Sequence, residues 1–258
     1  MTFAILAIFL VLSLNKESFG WGACTHVELA QSLLSQALSI GGAISGLLLA
    51  NRKDFILGNI LADVIIGKKL SRRRRESHHW PAGLRIMNNA SSESARAFAY
   101  GFLTHLAADT VAHNKFVPNQ ILLANSTISF GHLYWELRAD QCVHLHLRNK
   151  LTRLLEYADT RHDKLLAENV YPYLKWFGVN REIFSKINRL AVSEKFGRAM
   201  NVCENLSLWQ LSDEFLKPYK DKSLDRMIDI IINGANSKIL LEDPNGLIAF
   251  KSLRLSFK

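Results

Sequence analysis

Apolar residues from Thr25 to Leu38 recur at helical spacing, and the same pattern continues from Ile44 to Gly58 around a polar break at Asn51 to Asp54. Farther on, Ser91 to Ser94 carries a glutamate at position 93 and makes a helix start for the run through Ala112. Ser126 to Gly131 then precedes a helix expected from His132 to about Glu156. Shorter periodic stretches cover Asp163 to Tyr173, Arg181 to Ala199, Ser207 to Phe215 and Asp225 to Ile232. No convincing alternating strand appears, so the expected fold class is all-α, a compact multi-helix domain. The apolar stretch Ala37 to Ala50 contains Gly41, Gly42 and Gly46 and falls short of the roughly 20 residues a bilayer span needs, which makes it a buried core helix.

The amino end changes that picture. Phe3 to Leu14 is apolar but too short to span, polar residues follow from Asn15 to Ser18, and Ser18 and Gly20 set small residues before a cut. Residues 1–20 therefore read as a secretory signal, although no Lys or Arg precedes the apolar run, and the mature chain is expected to begin at Trp21 outside the cytoplasm, secreted or periplasmic. Residues 21–258 then form one domain, with no internal repeat, low-complexity linker or glycine-rich phosphate loop.

Of the 258 residues, 48% are hydrophobic, enough to bury an ordinary core in a monomer. Lys and Arg number 32 against 23 Asp and Glu, and the net charge of +9 suits an anionic membrane surface or nucleic acid without choosing between them. Cys24, Cys142 and Cys203 are too few for a disulfide scaffold and lack the spacing of a thiolate zinc site.

The strongest chemical signal is HLAADTVAH, where His105, Asp109 and His113 recur at every fourth position along one helix face. HLYWE repeats the logic with His132 and Glu136 one turn apart. A single histidine on an apolar face is ordinarily a core residue. Three polar groups among Leu, Ala and Val would instead cost about 1 to 3 kcal/mol for each left unsatisfied. A metal ion removes that cost, and imidazole with carboxylate suits zinc, with manganese or iron tolerated.

The order and spacing of these residues resemble the zinc-dependent phospholipase C family, which includes secreted bacterial lecithinases and the domain of glycosylphosphatidylinositol-specific phospholipase D. Fungal single-strand nucleases share its ancestral site. The resemblance runs from Trp21 to about Asp140, the metal-site region, with a helical part beyond. It implies a trinuclear zinc site between helices. WGACTH matches the family's mature amino end, so Trp21, through its free amine and carbonyl, and His26 would hold one ion. GNILAD supplies Asp63 as the next ligand, and SHHW supplies His78 or His79, His78 standing at the closer match in distance from Trp80. By the same resemblance Asp63, the SHHW histidine, His105 and Asp109 hold a second ion, His113, His132 and Glu136 a third, and Asp109 bridges to the Trp21 site. Asp63 is also the candidate general base.

The implied activity is zinc-dependent hydrolysis of a phosphodiester, with phospholipid or a lipid-linked phosphate as substrate. A single-strand nuclease with the same cluster, or a non-catalytic zinc-holding membrane-surface protein, are the alternatives. His113 follows Asp109 more closely than in the lecithinases and fungal nucleases, a spacing similar to the glycosylphosphatidylinositol-specific branch. Arg72 to Arg75, between two ligand positions, reads equally as a phosphate-binding run or a solvated loop.

Overall fold

A computed structural model describes residues 20–64, 77–156, 160–170 and 177–256. The expected signal segment, apart from Gly20, and the basic run Arg72 to Arg75 lie outside these residues. Among the described residues every regular element is helical.

Helix α1 (Ala23–Ser35) opens the fold, followed by α2 (Gly42–Ala50), α3 (Arg52–Leu61), α4 (Trp80–Asn88) and α5 (Glu93–Val111). Ser92 caps α5 by accepting from Ala95 N at 3.1 Å, as the serine cluster there predicts. Next come a π-helical turn (Ala112–Phe116), α6 (Val117–Leu123), α7 (Ile128–Cys142), α8 (Leu145–Glu156), α9 (Asp163–Val170), α10 (Phe177–Val192) and α11 (Glu194–Asn205). The chain closes with α12 (Asp213–Asn233) and α13 (Leu247–Ser256).

Helix α5 is the axle of the molecule. It is apolar nearly all round, and from Gly101 to Val111 every residue is buried, the pattern of a helix enclosed by others rather than one facing water. Helices α3, α4 and α12 surround it, and α1 lies against α3, α8 and α12. The α3–α5 crossing is a backbone-to-backbone approach: a Cβ at Gly58 would stand 2.0 Å from Phe98 O, and one at Gly101 would stand 2.1 Å from Phe55 O. Gly101→Ala is therefore expected to destabilise the fold by about 1 to 3 kcal/mol or more, since backbone atoms cannot yield as a flexible side chain would. Urea unfolding measures it, and an unchanged midpoint would contradict the crossing.

Several helix boundaries differ from the sequence expectation, each for a local reason. Helix α1 stops at Ser35, and the break before α3 is the single residue Asn51. The expected His132–Glu156 helix parts at Val143, whose backbone is extended, and Arg181–Ala199 parts at Ser193, which caps α11 by accepting from Phe196 N at 3.3 Å. Ser207 to Leu211 is not helical; Ser212 caps α12 instead, and that helix runs through Pro218 and takes in the Asp225–Ile232 segment. The expected helix to Tyr173 is described only to Val170.

The Ala37–Ala50 expectation needs correction. In α2 only Ser45 and Leu48 are buried, so this is a surface helix with one face inward, and its glycines leave little side chain to bury. No helix of the described residues is long and apolar enough to cross a membrane. The remaining histidines are structural or superficial: His162 Nε2 lies 2.7 Å from Asp54 Oδ1 with its ring stacked on Phe98, and His144 stacks on His146. All three cysteines are free thiols, and burial pushes the Cys24 thiol well up.

Candidate metal centre

The expected ligands come from several elements of the fold. His105 and Asp109 come from α5 itself, His26 from α1, Asp63 from the end of α3, and His78 from the turn before α4. His132 and Glu136 lie one turn apart on α7.

His26 Nε2 and Trp21 N approach the same atom, Asp109 Oδ1, at 3.2 and 3.1 Å. The other Asp109 oxygen, Oδ2, is 3.2 Å from His105 Nε2 and 3.7 Å from His78 Nε2. His78 Nε2 in turn stands 2.8 Å from Asp63 Oδ1 and 3.2 Å from His105 Nε2. The rings of His26 and His105 stack at 3.9 Å. Two compact donor groups result, His26 with His105 and Asp109, and Asp63 with His78 and His105.

A third group joins His113, His132 and Glu136, with His132 Nε2 2.8 Å from Glu136 Oε1. The expectation of one helix face for His105, Asp109 and His113 is therefore modified. The α-helix ends at Val111, and His113 belongs to the π-helical turn. A π turn shifts the register of the side chains it carries and is frequent at functional sites. His79 takes a different place from His78: it is the residue before the first turn of α4 and belongs to none of the three groups.

The chemistry of these donors fits a metal. Both ring nitrogens of His26, Asp63 Oδ1 and Asp109 Oδ2 are buried without hydrogen-bond partners among the described residues. They crowd together without aligned hydrogen bonds, an arrangement costing about 1 to 3 kcal/mol per atom unless a cation sits among them. The opposite edges of three imidazoles are tied down. His105 Nδ1 lies 2.8 Å from Asn59 O, His78 Nδ1 lies 3.0 Å from Ser77 Oγ, and His113 Nδ1 meets Pro244 O. A carbonyl can only accept, so His105 and His113 must carry their proton on Nδ1 and turn Nε2 inward, the outer-shell device by which metal sites orient histidine.

Charge within the cluster is balanced by contact. Burial opposes ionisation of Asp109, but His105 and His26 outweigh it and hold the carboxyl well below its usual range. Burial likewise opposes ionisation of Asp63, with His105 and His78 bringing it down. Burial lowers His105, yet Asp109 and Asp63 overcome this and raise the ring to about 9. His26 has no such surplus: burial lowers it, and the neighbouring His105 lowers it further.

A zinc ion bound at His105 Nε2 would have to displace the proton that the metal-free protein keeps on that ring. That proton is bound below a folded value of about 9, so apparent zinc affinity is expected to rise with pH and level off near 9. His105's contribution to the stability of the metal-free fold runs the other way, full below its ordinary value of 6.5 and lost as pH rises through about 9. Calorimetric zinc titrations in buffers of different ionisation enthalpy should show proton release, and a heat independent of buffer would refute it.

Several supporting residues escaped the sequence reading. Asp140, one turn beyond Glu136 on α7, accepts from Cys24 N at 3.0 Å, Thr25 N at 2.9 Å and Thr25 Oγ1 at 2.7 Å. It closes the amino end of α1 and so positions His26; burial raises its carboxyl despite those donors. The same four-residue spacing that singled out His132 and Glu136 points to it. The Trp21 indole donates to Ser223 Oγ at 2.9 Å and stacks on Phe116, which pins its backbone nitrogen beside Asp109.

A cleft of about 570 Å³, counted to its open mouth, exposes part of the cluster. Asp63, Glu136 and Asp140 contribute its carboxylates, while Ala23, Leu133, Leu137, Phe184, Ile187 and Ala191 give it apolar walls. Helix α10 thus supplies walls that no local ligand pattern could announce.

A family model described as zinc-dependent phospholipase C matches residues 25–197. The match spans α1 through the early part of α11 and leaves Trp21, α12 and α13 outside it. No curated protein and no solved structure shows a significant match.

Proposed function

Because this chain belongs to the zinc-dependent phospholipase C family, we propose that it is an exported hydrolase cleaving the phosphodiester of a phospholipid or a lipid-linked phosphate. In this reading Trp21, His26, Asp63, His78, His105, Asp109, His113, His132 and Glu136 hold zinc, in three sites. Zinc, when bound, supplies Lewis acidity toward the phosphoryl group and activates water for attack.

The chain's own residues do the rest. In this reading Asp63, kept ionised by His105 and His78 and lining the cleft, takes up a proton from attacking water. Glu136 lines the same cleft, with its Oε1 2.8 Å from His132 Nε2. The observation that carries the substrate class is the contrast between this carboxylate floor and the apolar walls. Leu133, Leu137, Phe184, Ile187 and Ala191 suit acyl or glyceryl carbon beside a phosphate, and no Lys or Arg lines the described cleft to track a nucleic-acid backbone.

The test uses zinc-supplemented protein beginning at Trp21. It is expected to release phosphocholine from phosphatidylcholine vesicles and to leave single-stranded DNA intact. Nucleotide release with untouched vesicles would replace this reading by a nuclease. Tightly held zinc without turnover of either substrate would make the protein a non-catalytic zinc holder.

A further inference from the structure

Residues beyond the family match pack against the metal centre. Glu242 to Phe250 comprises a DPNG turn and the first residues of α13, and it touches the segments that carry His78, His113 and His132. Pro244 O receives His113 Nδ1, and Asn114 Nδ2 donates to Asp243 O at 2.8 Å. Asn245 Nδ2 donates to His78 O at 2.6 Å, and Trp80 Nε1 to Glu242 O at 2.8 Å. Phe250 stacks on the His132 ring at 5.0 Å with an interplanar angle of 24°.

The turn is itself well braced. Asp243 Oδ1 accepts from Asn245 N and Oδ2 from Leu247 N, each at 2.9 Å, and Glu242 pairs with Arg226 of α12 at 2.6 Å. Gly246 has a φ of +63°, and a Cβ there would lie 2.5 Å from His113 O, so the turn rests directly on the His113 backbone.

We propose that residues 242–250 act as a strap that commits His113 to Nε2 ligation and holds His78 and His132 in register with it, making Pro244, Asn245 and Phe250 positioning residues for the metal centre. The proposal rests on the reading that these histidines ligate zinc. Its physical content is tautomer and ring orientation. His113 Nδ1 must keep its hydrogen to bond Pro244 O, which leaves Nε2 as its donor atom, and the Phe250 ring restricts rotation of His132. Burial alone would leave the choice of nitrogen open.

Zinc affinity is measured by chelator competition on the full chain and on its Asn245→Ala, Phe250→Ala and Phe250→Tyr variants, with zinc content determined at saturation. Nitrogen-15 spectra of the chelated wild type report the His113 tautomer. The proposal expects an Nδ1-protonated His113, affinity lowered about 10- to 100-fold in both alanine variants, and near wild-type affinity in Phe250→Tyr. Wild-type protein without zinc would overturn the ligand reading itself, and the strap with it. Wild-type zinc content with unchanged affinity in the alanine variants would overturn the strap alone. An Nε2-protonated His113 in the wild type would do the same, even should the variants fail to fold.

Discussion

Protein beginning at Trp21 is expected to hold one zinc ion more than protein that keeps Gly20 ahead of it. Trp21 N and His26 Nε2 both point at Asp109 Oδ1, at 3.1 and 3.2 Å. In the uncut chain that nitrogen is an amide, with no lone pair to offer a cation. Freed by cleavage it becomes an amine, whose ordinary pKa near 8 leaves a ligating fraction at neutral pH. Gly20 also sits where the ion would compete for space: a Cβ at that position would lie 2.0 Å from Asp109 Oδ1. If the missing ion carries about 3 kcal/mol of charge stabilisation, retention of Gly20 lowers phospholipid turnover about a hundredfold. Elemental analysis of the two forms, with their amino-terminal sequences, decides the matter. Equal zinc content would remove Trp21 from the ligand set.

Asp109→Asn should be more severe, because both Asp109 oxygens serve the cluster. Oδ1 faces His26 and Trp21, and Oδ2 faces His105 and His78. The amide keeps the volume but removes the anion that holds His105 protonated in the metal-free protein and that would bridge two ions in the loaded one. Loss of about 4 kcal/mol of transition-state stabilisation corresponds to about a thousandfold in kcat/KM. Zinc content should fall in parallel while the helical signal is retained. Full zinc occupancy and undiminished turnover in Asp109→Asn would exclude the bridging role.

The legible part of this molecule is whatever repeats within a few residues. Helical periodicity is local, so the all-α class followed from spacing, and the pairs His105 with Asp109 and His132 with Glu136 followed from the one-turn separation that sets side chains on a common face. Missed boundaries cluster where a single serine cap or an extended residue outweighs periodicity, as at Ser193 and Val143. The surface exposure of α2 was hidden because apolar composition states what a helix could bury and says nothing of what lies beside it.

By itself, then, the sequence determined the helical class, the family and the kinds of donor atom available. Tertiary structure alone decided that His113 leaves the face of His105 and Asp109 through a π-helical turn, that His78 rather than its neighbour faces Asp63, and which edge of each ring is tied down. Asn59, Asp140, Ser223, Pro244 and Asn245 do that tying from positions 46 to 202 residues away from the groups they hold. The reason is physical: a helix specifies the directions of its own side chains, whereas the nitrogen a histidine presents depends on a carbonyl delivered by a distant part of the chain.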